Sequence, residues 1–280
     1  MGNVVVTGGS GRLGYWAIRE LLQEGHHVIS GDQAAPKHSL CPSVLVDLNQ
    51  MEQVLRLLEQ ADEVIHLAAI PAPGILSNEE TYRNNTISSY NVLEAADQLG
   101  IRKVVIGSSA SIYGFAYAKH PFLPDYFPVD ENHPLLPQEC YGLSKIVNEQ
   151  TAAMFNRRSD MQIVSLRMSC ILSEDVYFDF CNRPDLEKIM YPLFWSYVDV
   201  RDAARACRLG IEASGLGAMP LEICANDTLS REKTKDLYSK YYSQVTDIRT
   251  TLEGHTSLSS NQKARQSLNW QPQFSWRMYV

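Results

Sequence analysis

The fold of this 280-residue chain is decided near its start by Thr7-Gly8-Gly9-Ser10-Gly11-Arg12-Leu13-Gly14. This stretch follows an apolar run at residues 4–6 and precedes apolar residues at helical spacing, so it predicts a turn between a strand and a helix. Glycines spaced three apart let the chain turn sharply and approach a ligand closely. The free N–H groups at the start of the helix favour an anion such as a pyrophosphate. The alternative is a tight turn that binds nothing.

An acidic residue, Asp32, ends the second predicted strand. A carboxylate there can accept hydrogen bonds from the ribose hydroxyls of a dinucleotide, and it would repel the 2′-phosphate of NADP. Arg12 and Lys37 could offset that repulsion. On balance these charges favour NAD as the cofactor.

Strands and helices alternate outward from the glycine loop as far as residue 168. The pattern predicts strands at residues 3–7, 27–29, 44–46, 63–67, 103–106 and 162–166, and helices at 13–22, 51–58, 79–99 and 141–155. Such alternation indicates right-handed βαβ units and a doubly wound parallel sheet of the Rossmann type, so the fold class is α/β. Residues 1–168 are therefore predicted to form a dinucleotide-binding domain.

The pattern is less regular after Met168. Residues 171–196 show no clear periodicity, and we predict helices at 199–213, 230–241 and 259–268 and a strand at 221–224. The sequence contains no repeat and no low-complexity linker. We expect residues 169–280 to form a small α/β substrate-binding region that packs partly on the first domain.

Composition excludes several classes of protein. Lys and Arg total 25 against 32 Asp and Glu, and this net charge of −7 argues against a nucleic-acid-binding protein. No apolar run approaches the roughly 20 residues that span a bilayer, so we expect no membrane partner and a cytoplasmic location. The six cysteines are scattered and the seven histidines form no ligand array, so we expect reduced thiols and no metal site.

Tyr141 and Lys145 are four residues apart and would share one face of a helix. A nearby ammonium and an oxidised nicotinamide ring would lower the pKa of the phenol, which is ordinarily about 10. Such a tyrosine can take the proton of an alcohol while a hydride leaves its carbon. The alternative is a surface pair of little consequence.

Residues 106–114 follow the fifth predicted strand and include Ser109. Loops at the carboxyl ends of parallel strands face the ligand crevice, so Ser109 could hydrogen-bond a reacting oxygen. A polar turn that satisfies its own backbone is the alternative. The following aromatic and proline-rich stretch, 115–127, is hypothesised to form a wall or lid of the substrate pocket, or else a packed surface loop.

Together, these features resemble the extended short-chain dehydrogenase/reductase superfamily, and within it the NAD-dependent epimerase/dehydratase family. Further motifs of that family follow in order along nearly the whole chain: Val46-Asp47-Leu48, Val64-Ile65-His66-Leu67-Ala68-Ala69, Asn84, Ser108-Ser109-Ala110-Ser111-Ile112-Tyr113-Gly114, Leu166-Arg167, Tyr197-Val198-Asp199-Val200-Arg201-Asp202-Ala203-Ala204, and Lys263-Ala264 with Leu268-Asn269-Trp270-Gln271-Pro272.

The resemblance implies roles for particular residues. Tyr141 would be the acid/base, Lys145 its pKa-lowering partner and a ribose ligand, and Ser109 a donor to the substrate oxygen. Asp47 and Leu48 would border the adenine, Leu67 to Ala69 would line the pyrophosphate side, Asn84 would support the cleft, and Ser169 would lie near the nicotinamide. The full cofactor-binding set implied is Gly8, Ser10, Gly11, Arg12, Leu13, Gly14, Asp32, Asp47, Leu48, Leu67, Ala68, Ala69, Asn84, Tyr141, Lys145 and Ser169. The helices at 79–99 and 141–155 commonly form the homodimer face in this family, so a homodimer is expected.

The substrate side departs from nucleotide-sugar epimerases. The segment between Arg167 and Val198 is shorter than theirs, and Cys170 replaces their usual asparagine. The chain resembles the compact uronate dehydrogenases more closely, although Pro71 stands where they carry a substrate-binding serine and Ser109-Ala110-Ser111 replaces their Ser-Asn-His. Arg183 is either a ligand for a substrate carboxylate or a solvated surface residue.

The expected function is therefore that of an NAD-dependent oxidoreductase acting on a sugar or a sugar-derived alcohol. A nucleotide-sugar epimerase or dehydratase that retains its NAD is the first alternative. A non-catalytic NAD-binding regulator is the second.

Overall fold

A seven-stranded parallel sheet forms the centre of the protein in the computed structural model, which describes residues 2–279. In chain order its strands and helices are β1 (Asn3–Thr7), α1 (Arg12–Gln23), β2 (His27–Asp32), β3 (Ser43–Leu45), α2 (Met51–Leu58), β4 (Glu63–His66), α3 (Asn78–Gln98), β5 (Lys103–Ser109), β6 (Tyr126–Phe127), α4 (Cys140–Ser159), β7 (Gln162–Met168), β8 (Cys170–Leu172), α5 (Glu174–Cys181), α6 (Leu186–Met190), β9 (Tyr197–Asp199), α7 (Val200–Glu212), β10 (Ala218–Ile223), α8 (Thr234–Tyr241), β11 (Asp247–Ile248) and α9 (Gln262–Leu268).

The strand order in the sheet is β10-β7-β5-β4-β1-β2-β3. Every pair is parallel; Thr7 of β1, for instance, stands opposite Gly31 on one side and His66 on the other. The chain winds outward from β1 in one direction to β3 and then resumes at β4 on the opposite side of β1. Ligands of such sheets bind at this reversal, beyond the carboxyl ends of the strands. The predicted doubly wound α/β fold is confirmed.

Helices cover both faces of the sheet, which explains why its strands are continuous apolar runs. Helices α1 and α7 pack together on one face, and α2, α3 and α4 pack on the other. Leu21 of α1 and Leu93 of α3 are completely buried, one on each face. Each such side chain stabilises the fold by about 1.5–3 kcal/mol.

The chain beyond Met168 completes the sheet. Strand β10 pairs with β7 in parallel, from Ala218 opposite Ile163 to Ile223 opposite Met168. It begins three residues earlier than the predicted strand at 221–224. Residues after the proposed domain boundary thus supply an edge strand and the helix α7 that packs on α1.

Residues 171–196, for which no pattern was predicted, form β8, α5 and α6 and a short turn of 3₁₀ helix. These elements surround an aromatic cluster that includes Phe127, Phe194 and Tyr242, with ring centres 5.1–5.5 Å apart. Two small sheets, β8 with β9 and β6 with β11, flank this cluster. Helix α8 begins at Thr234 and α9 at Gln262, each later than predicted, because both are preceded by non-helical turns.

The thiols of all six cysteines are free. Within residues 2–279, no group of three or more His, Cys, Asp or Glu side chains is arranged to hold a metal ion. None of the helices in that part of the chain combines the length and apolarity that crossing a membrane requires.

Candidate active site

A cleft of about 1190 Å³ opens at the carboxyl ends of β1, β2, β4, β5 and β7. Of the residues predicted for cofactor binding and catalysis, all line this cleft except Asp47. The sheet topology therefore brings together residues that are spread from Gly8 to Ser169 in the sequence.

The glycine loop packs so tightly that side chains would not fit. Gly8 has a φ of +74°, and a Cβ there would lie 2.6 Å from the backbone nitrogen of Ala68. A Cβ on Gly14 would lie 2.1 Å from the carbonyl oxygen of Gly8. Helix α1 consequently starts at the cleft, and its first N–H groups, which have no partner within the helix, are available to an anion. This cradle fits the pyrophosphate of a dinucleotide.

Asp32 lies at the end of β2 and lines the cleft beside Gln33. Its carboxylate accepts hydrogen bonds from the backbone N–H groups of Ser10 at 3.0 Å and Ala34 at 3.3 Å. It is thereby tied to the glycine loop. Lys37, which was considered as a partner for a 2′-phosphate, is exposed and does not line the cleft.

Asp47 is placed differently from the prediction. Its carboxylate accepts from the backbone N–H and the side-chain amide of Asn49, both at 3.0 Å, and these bonds lower its pKa. The cleft is lined instead by its neighbours Leu48 and Asn49. Asn49, which was not predicted, donates a hydrogen bond to Asn84 Oδ1 at 3.1 Å. The carboxylate orients this amide because both belong to the turn before α2.

A second unpredicted asparagine fixes the loop after β4. Asn85 Oδ1 accepts from the Ile70 N–H at 2.8 Å, while its amide nitrogen donates to the Ile70 carbonyl at 3.0 Å. Asn85 is buried on α3, next to Asn84, which lines the cleft as predicted. From the sequence, only the position of Asn85 within a predicted helix could have indicated its role. Its partner, Ile70, comes next to it only in the folded protein.

Tyr141 and Lys145 lie on the first turns of α4, and both are buried. Lys145 Nζ is 5.4 Å from the centre of the Tyr141 ring and donates a hydrogen bond to the Gly107 carbonyl at 2.7 Å. Glu139 caps the helix by accepting from the N–H groups of Tyr141 at 2.5 Å and Gly142 at 2.7 Å. This cap, which was not predicted, fixes the backbone beneath the phenol.

The expected lowering of the Tyr141 pKa is wrong for the protein alone. Burial raises the pKa of Tyr141 to about 12, and the hydroxyl of Ser109 offsets only part of this increase. Burial also lowers the pKa of Lys145 to about 8, although the Glu149 carboxylate opposes that change. Both shifts have the same cause, since a low-dielectric site disfavours the charged form of either group.

Ser109, the last residue of β5, has both of the properties that were predicted as alternatives. It lines the cleft together with Tyr141. Its Oγ also accepts from the Ser111 N–H at 3.1 Å, which caps a short 3₁₀ helix at Ala110–Tyr113. The same side chain can stabilise the turn and face a ligand, because a hydroxyl oxygen has two lone pairs.

The end of the cleft beyond Ser109 is lined mainly by apolar side chains. Within the stretch 115–127, only Ala116 and Tyr117 reach the cleft. Phe115 is buried and stacks against Phe122 with ring centres 4.7 Å apart. At Ala116 and Tyr117 the stretch contributes to the lining of the cleft. Arg183 does not line the cleft; its guanidinium is half-exposed and pairs with Asp185 at 3.0 Å.

His66 lies buried beneath the glycine loop. Its Nδ1 is 2.7 Å from Thr7 Oγ1 and its Nε2 is 3.0 Å from Ser89 Oγ. Burial lowers its pKa to about 3, so the ring is neutral at pH 7. The ring joins β1, β4 and α3 below the cleft and does not itself contact a ligand.

Comparisons with known proteins agree with this geometry. The model of the NAD dependent epimerase/dehydratase family matches residues 4–191. A putative UDP-glucose 4-epimerase of Methanocaldococcus jannaschii is 31% identical over 179 residues, which cover 61% of this chain and 56%, about half, of that relative. An L-arabinose 1-dehydrogenase (NAD(P)(+)) of Haloferax volcanii is 27% identical over 235 residues, covering 81% of this chain and 90% of that protein.

Solved structures share the fold. A short-chain dehydrogenase/reductase superfamily protein from Agrobacterium tumefaciens with bound NAD superposes with a TM-score of 0.76 at 19% identity, covering 98% of this chain and 94% of the other. A mutated uronate dehydrogenase superposes with a TM-score of 0.71 at 23% identity, covering 100% and 84%.

Proposed function

Because the chain belongs to the NAD-dependent epimerase/dehydratase family, we propose that it is an NAD-dependent oxidoreductase acting on a sugar or a sugar-derived alcohol. One observation carries this proposal. Ser109, Tyr141 and Lys145 lie in the same cleft as the glycine loop and Asp32. The cleft thus combines a dinucleotide cradle with an acid/base group.

The cofactor would be held by the residues that surround the cradle. The N–H groups at the start of α1 would receive the pyrophosphate, and Asp32 the ribose hydroxyls. Asp32 and the outward position of Lys37 support NAD over NADP. When bound, NAD⁺ supplies the hydride acceptor and a positive charge.

The chain's own residues would orient the substrate alcohol and accept its proton. Ser109 Oγ would orient the reacting hydroxyl, and Tyr141 Oη would take its proton as the hydride leaves. With a pKa of about 12 in the protein alone, the phenol is protonated at neutral pH. Tyr141 must therefore release its own proton to solvent before it can take that of the substrate. The Lys145 ammonium and the charge of the oxidised cofactor would together lower its pKa and stabilise the phenolate that accepts the substrate proton.

The substrate end of the cleft supports a substrate without a nucleotide. Among residues 2–279, the cations that line the cleft are Arg12, Arg83 and Lys145, on α1, α3 and α4. The residues after 168 that line it are Ser169, Cys170, Ile171, Ile189 and Leu193, none of them charged. A nucleotide diphosphate would find no cation on this side. The similarity to an L-arabinose 1-dehydrogenase, which covers 81% of this chain and 90% of that protein, supports a free sugar as substrate.

An epimerase or dehydratase that retains NADH is the second candidate, since the family and the relative from Methanocaldococcus jannaschii support it. The two differ in whether NADH leaves the enzyme. The protein should be incubated with NAD⁺ and with free sugars, uronates and nucleotide sugars in turn, while NADH is followed by absorbance. Stoichiometric NADH with a free sugar is expected. Product formation from a nucleotide sugar without net NADH would favour the epimerase.

The role of Tyr141 is tested by Tyr141→Phe. Because the phenol carries the proton, this variant should lose activity by about 10²–10⁴-fold. Its affinity for NAD⁺, measured by calorimetry, should be retained. Tyr238→Phe, at a partly exposed position of α8 that lies outside the cleft, is the matched control. Full activity in Tyr141→Phe would contradict the proposal, and NAD⁺ binding without turnover of any substrate by the wild type would favour a regulator.

We further propose that the protein is a homodimer that associates through α3 and α4. These adjacent helices expose the apolar side chains of Ile87, Tyr90 and Leu143, each more than two-fifths accessible. A second copy of the chain would cover them.

A further inference from the structure

A carboxyl group without a cation partner lies behind the cleft. Glu222, near the end of β10, is 1% exposed. Its Oε1 accepts a hydrogen bond from Ser169 Oγ and its Oε2 accepts one from the Tyr113 hydroxyl, both at 3.1 Å. Ser169 belongs to the lining of the cleft, so one bond links the buried acid to the site.

The charges around Glu222 come from several elements. Glu131, in the loop before α4, accepts a hydrogen bond from the Glu222 backbone N–H at 2.7 Å. The guanidinium of Arg167, on β7, forms a two-point ion pair with Glu149 of α4 at 2.7 and 3.0 Å, and its remaining nitrogen donates to the Tyr113 hydroxyl at 3.3 Å. The other titratable groups nearby are the Tyr113 hydroxyl, the Cys224 thiol on β10 itself, and Lys263 of α9, whose charge acts on Glu131.

Two carboxyl groups are therefore close together, and the guanidinium of Arg167 is already paired with Glu149. Burial and the Glu131 carboxylate raise the pKa of Glu222 to about 8, although Arg167 and the bonds from Ser169 and Tyr113 oppose the rise. The side chain is mostly protonated at pH 7. It ionises in the mildly alkaline range.

The protonation state of Glu222 determines where the Ser169 proton can go. A carboxylate only accepts hydrogen bonds, so Ser169 must donate its single proton to an ionised Glu222. A protonated Glu222 can donate to Ser169 Oγ, which leaves the Ser169 proton free. That proton can then go to Ser196 Oγ, at 2.8 Å, or to an acceptor in the cleft.

We propose that Glu222 is a positioning residue that makes Ser169 a donor to an oxygen of the bound cofactor. In the acid form, Glu222 supplies the hydrogen bond that Ser169 accepts, and Ser169 donates into the cleft. In the carboxylate form, Ser169 donates its proton to Glu222 and no longer donates into the cleft. The identity of the ligand as NAD rests on the proposed function, whereas the link between Glu222 and Ser169 does not.

The protonation of Glu222 is tested first in the ligand-free protein by infrared difference spectroscopy. At pH 7 the wild type should show the C=O band of a buried protonated carboxyl group that Glu222→Gln lacks. The band should disappear as the pH rises through about 8. A spectrum at pH 7 without this difference would overturn the proposal.

The effect on the ligand is tested by measuring the dissociation constant of NAD⁺ from pH 6.5 to 9.5. Lys145 also lines the cleft and, with a pKa of about 8, loses its charge over the same range, so each variant is compared with the wild type. Wild-type affinity should fall by roughly 3- to 10-fold more than that of Glu222→Gln, whose amide stays neutral, which corresponds to one hydrogen bond. Ser169→Ala should bind weakly at every pH and show the same profile in both Glu222 backgrounds. An equal fall in the wild type and in Glu222→Gln would overturn the proposal.

These outcomes are distinct from failure of the proposed function. If Tyr141→Phe remained active, the proposed reaction would be wrong, yet the infrared and binding titrations would still decide the role of Glu222. If Glu222→Gln did not fold, as judged by thermal unfolding, the pH dependence in Ser169→Ala would decide it, since the proposal requires the affinity to fall less there than in the wild type.

Discussion

At the scale of single residues, the site combines groups whose positions follow from the sequence with others that only the fold brings together. Tyr141, Lys145 and Ser109 belong to recognisable patterns, and all three line the cleft. Asn85 and Glu222 could not be predicted, because each acts through a partner more than ten residues away. The pKa of Tyr141 could not be predicted either, since spacing indicates the neighbouring ammonium but not the depth of burial.

The burial of Lys145 should make the free energy of unfolding depend on pH. Its folded-state pKa is lowered from 10.5 to about 8, so the unfolded chain binds more protons between these values and stability rises with pH across that window. Below pH 8 the cost of burying the charge is fully present. Lys145→Met removes this cost, so the wild type should gain roughly 2–3 kcal/mol relative to the variant between pH 8 and 10.5.

Urea unfolding of both proteins at pH 7, 8, 9 and 10 measures this difference. Lys235→Met, at an exposed position of α8, serves as the control, and its difference from the wild type should stay constant. A constant difference for Lys145→Met as well would contradict a lowered pKa.

At the scale of elements, the regular part of the chain was predictable and the aromatic part was not. Strands such as β5 and β7 are buried on both faces, so they appear as apolar runs, and the helices between them have one apolar face. Elements α5 and α6 are only eight and five residues long. Their apolar side chains converge on Phe194 and its neighbours from several directions, so no period appears in the sequence.

The start of α1 depends on Gly14 more than on Gly11. A Cβ on Gly14 would lie 2.1 Å from the Gly8 oxygen, while one on Gly11 would lie 3.2 Å from the same atom. Because the first contact involves backbone that cannot move freely, Gly14→Ala should destabilise the protein by about 3 kcal/mol or more and abolish NAD⁺ binding. Gly11→Ala should cost about 1 kcal/mol or less.

Thermal unfolding and NAD⁺ titration of the two alanine variants check this difference. Equal stabilities would show that the loop relaxes around a side chain at position 14. The glycines would then serve the ligand alone.

At the scale of the whole molecule, the sheet places the glycine loop and the proposed catalytic groups at one edge, while the proposed association uses the outer faces of α3 and α4. Strand order is what joins residues as distant as Gly8 and Ser169. The alternation of strands and helices predicts the parallel sheet. The alternation does not predict that β10 pairs with β7, since the sequence of an edge strand does not identify the strand with which it pairs.

The proposed dimer predicts that Ile87→Glu shifts the protein toward a monomer, because a charge would be buried at the interface. Sedimentation velocity at several protein concentrations measures the assembly. Leu45→Glu alters a side chain that is even more exposed, on the edge strand β3, and should leave the assembly unchanged. A wild type that sediments as a monomer throughout would contradict the dimer.

The pairing of β10 with β7 has a consequence for synthesis on the ribosome. All seven residues of β7 are buried, yet its outer edge has no neighbour until Ala218–Ile223 has been made, some fifty residues later. During that interval a nascent chain presents an open, apolar strand edge, the kind of surface that recruits other strands. A chaperone that shields this edge would be needed longest while residues 169–217 emerge, and translation pauses in that interval should lower the yield of folded protein.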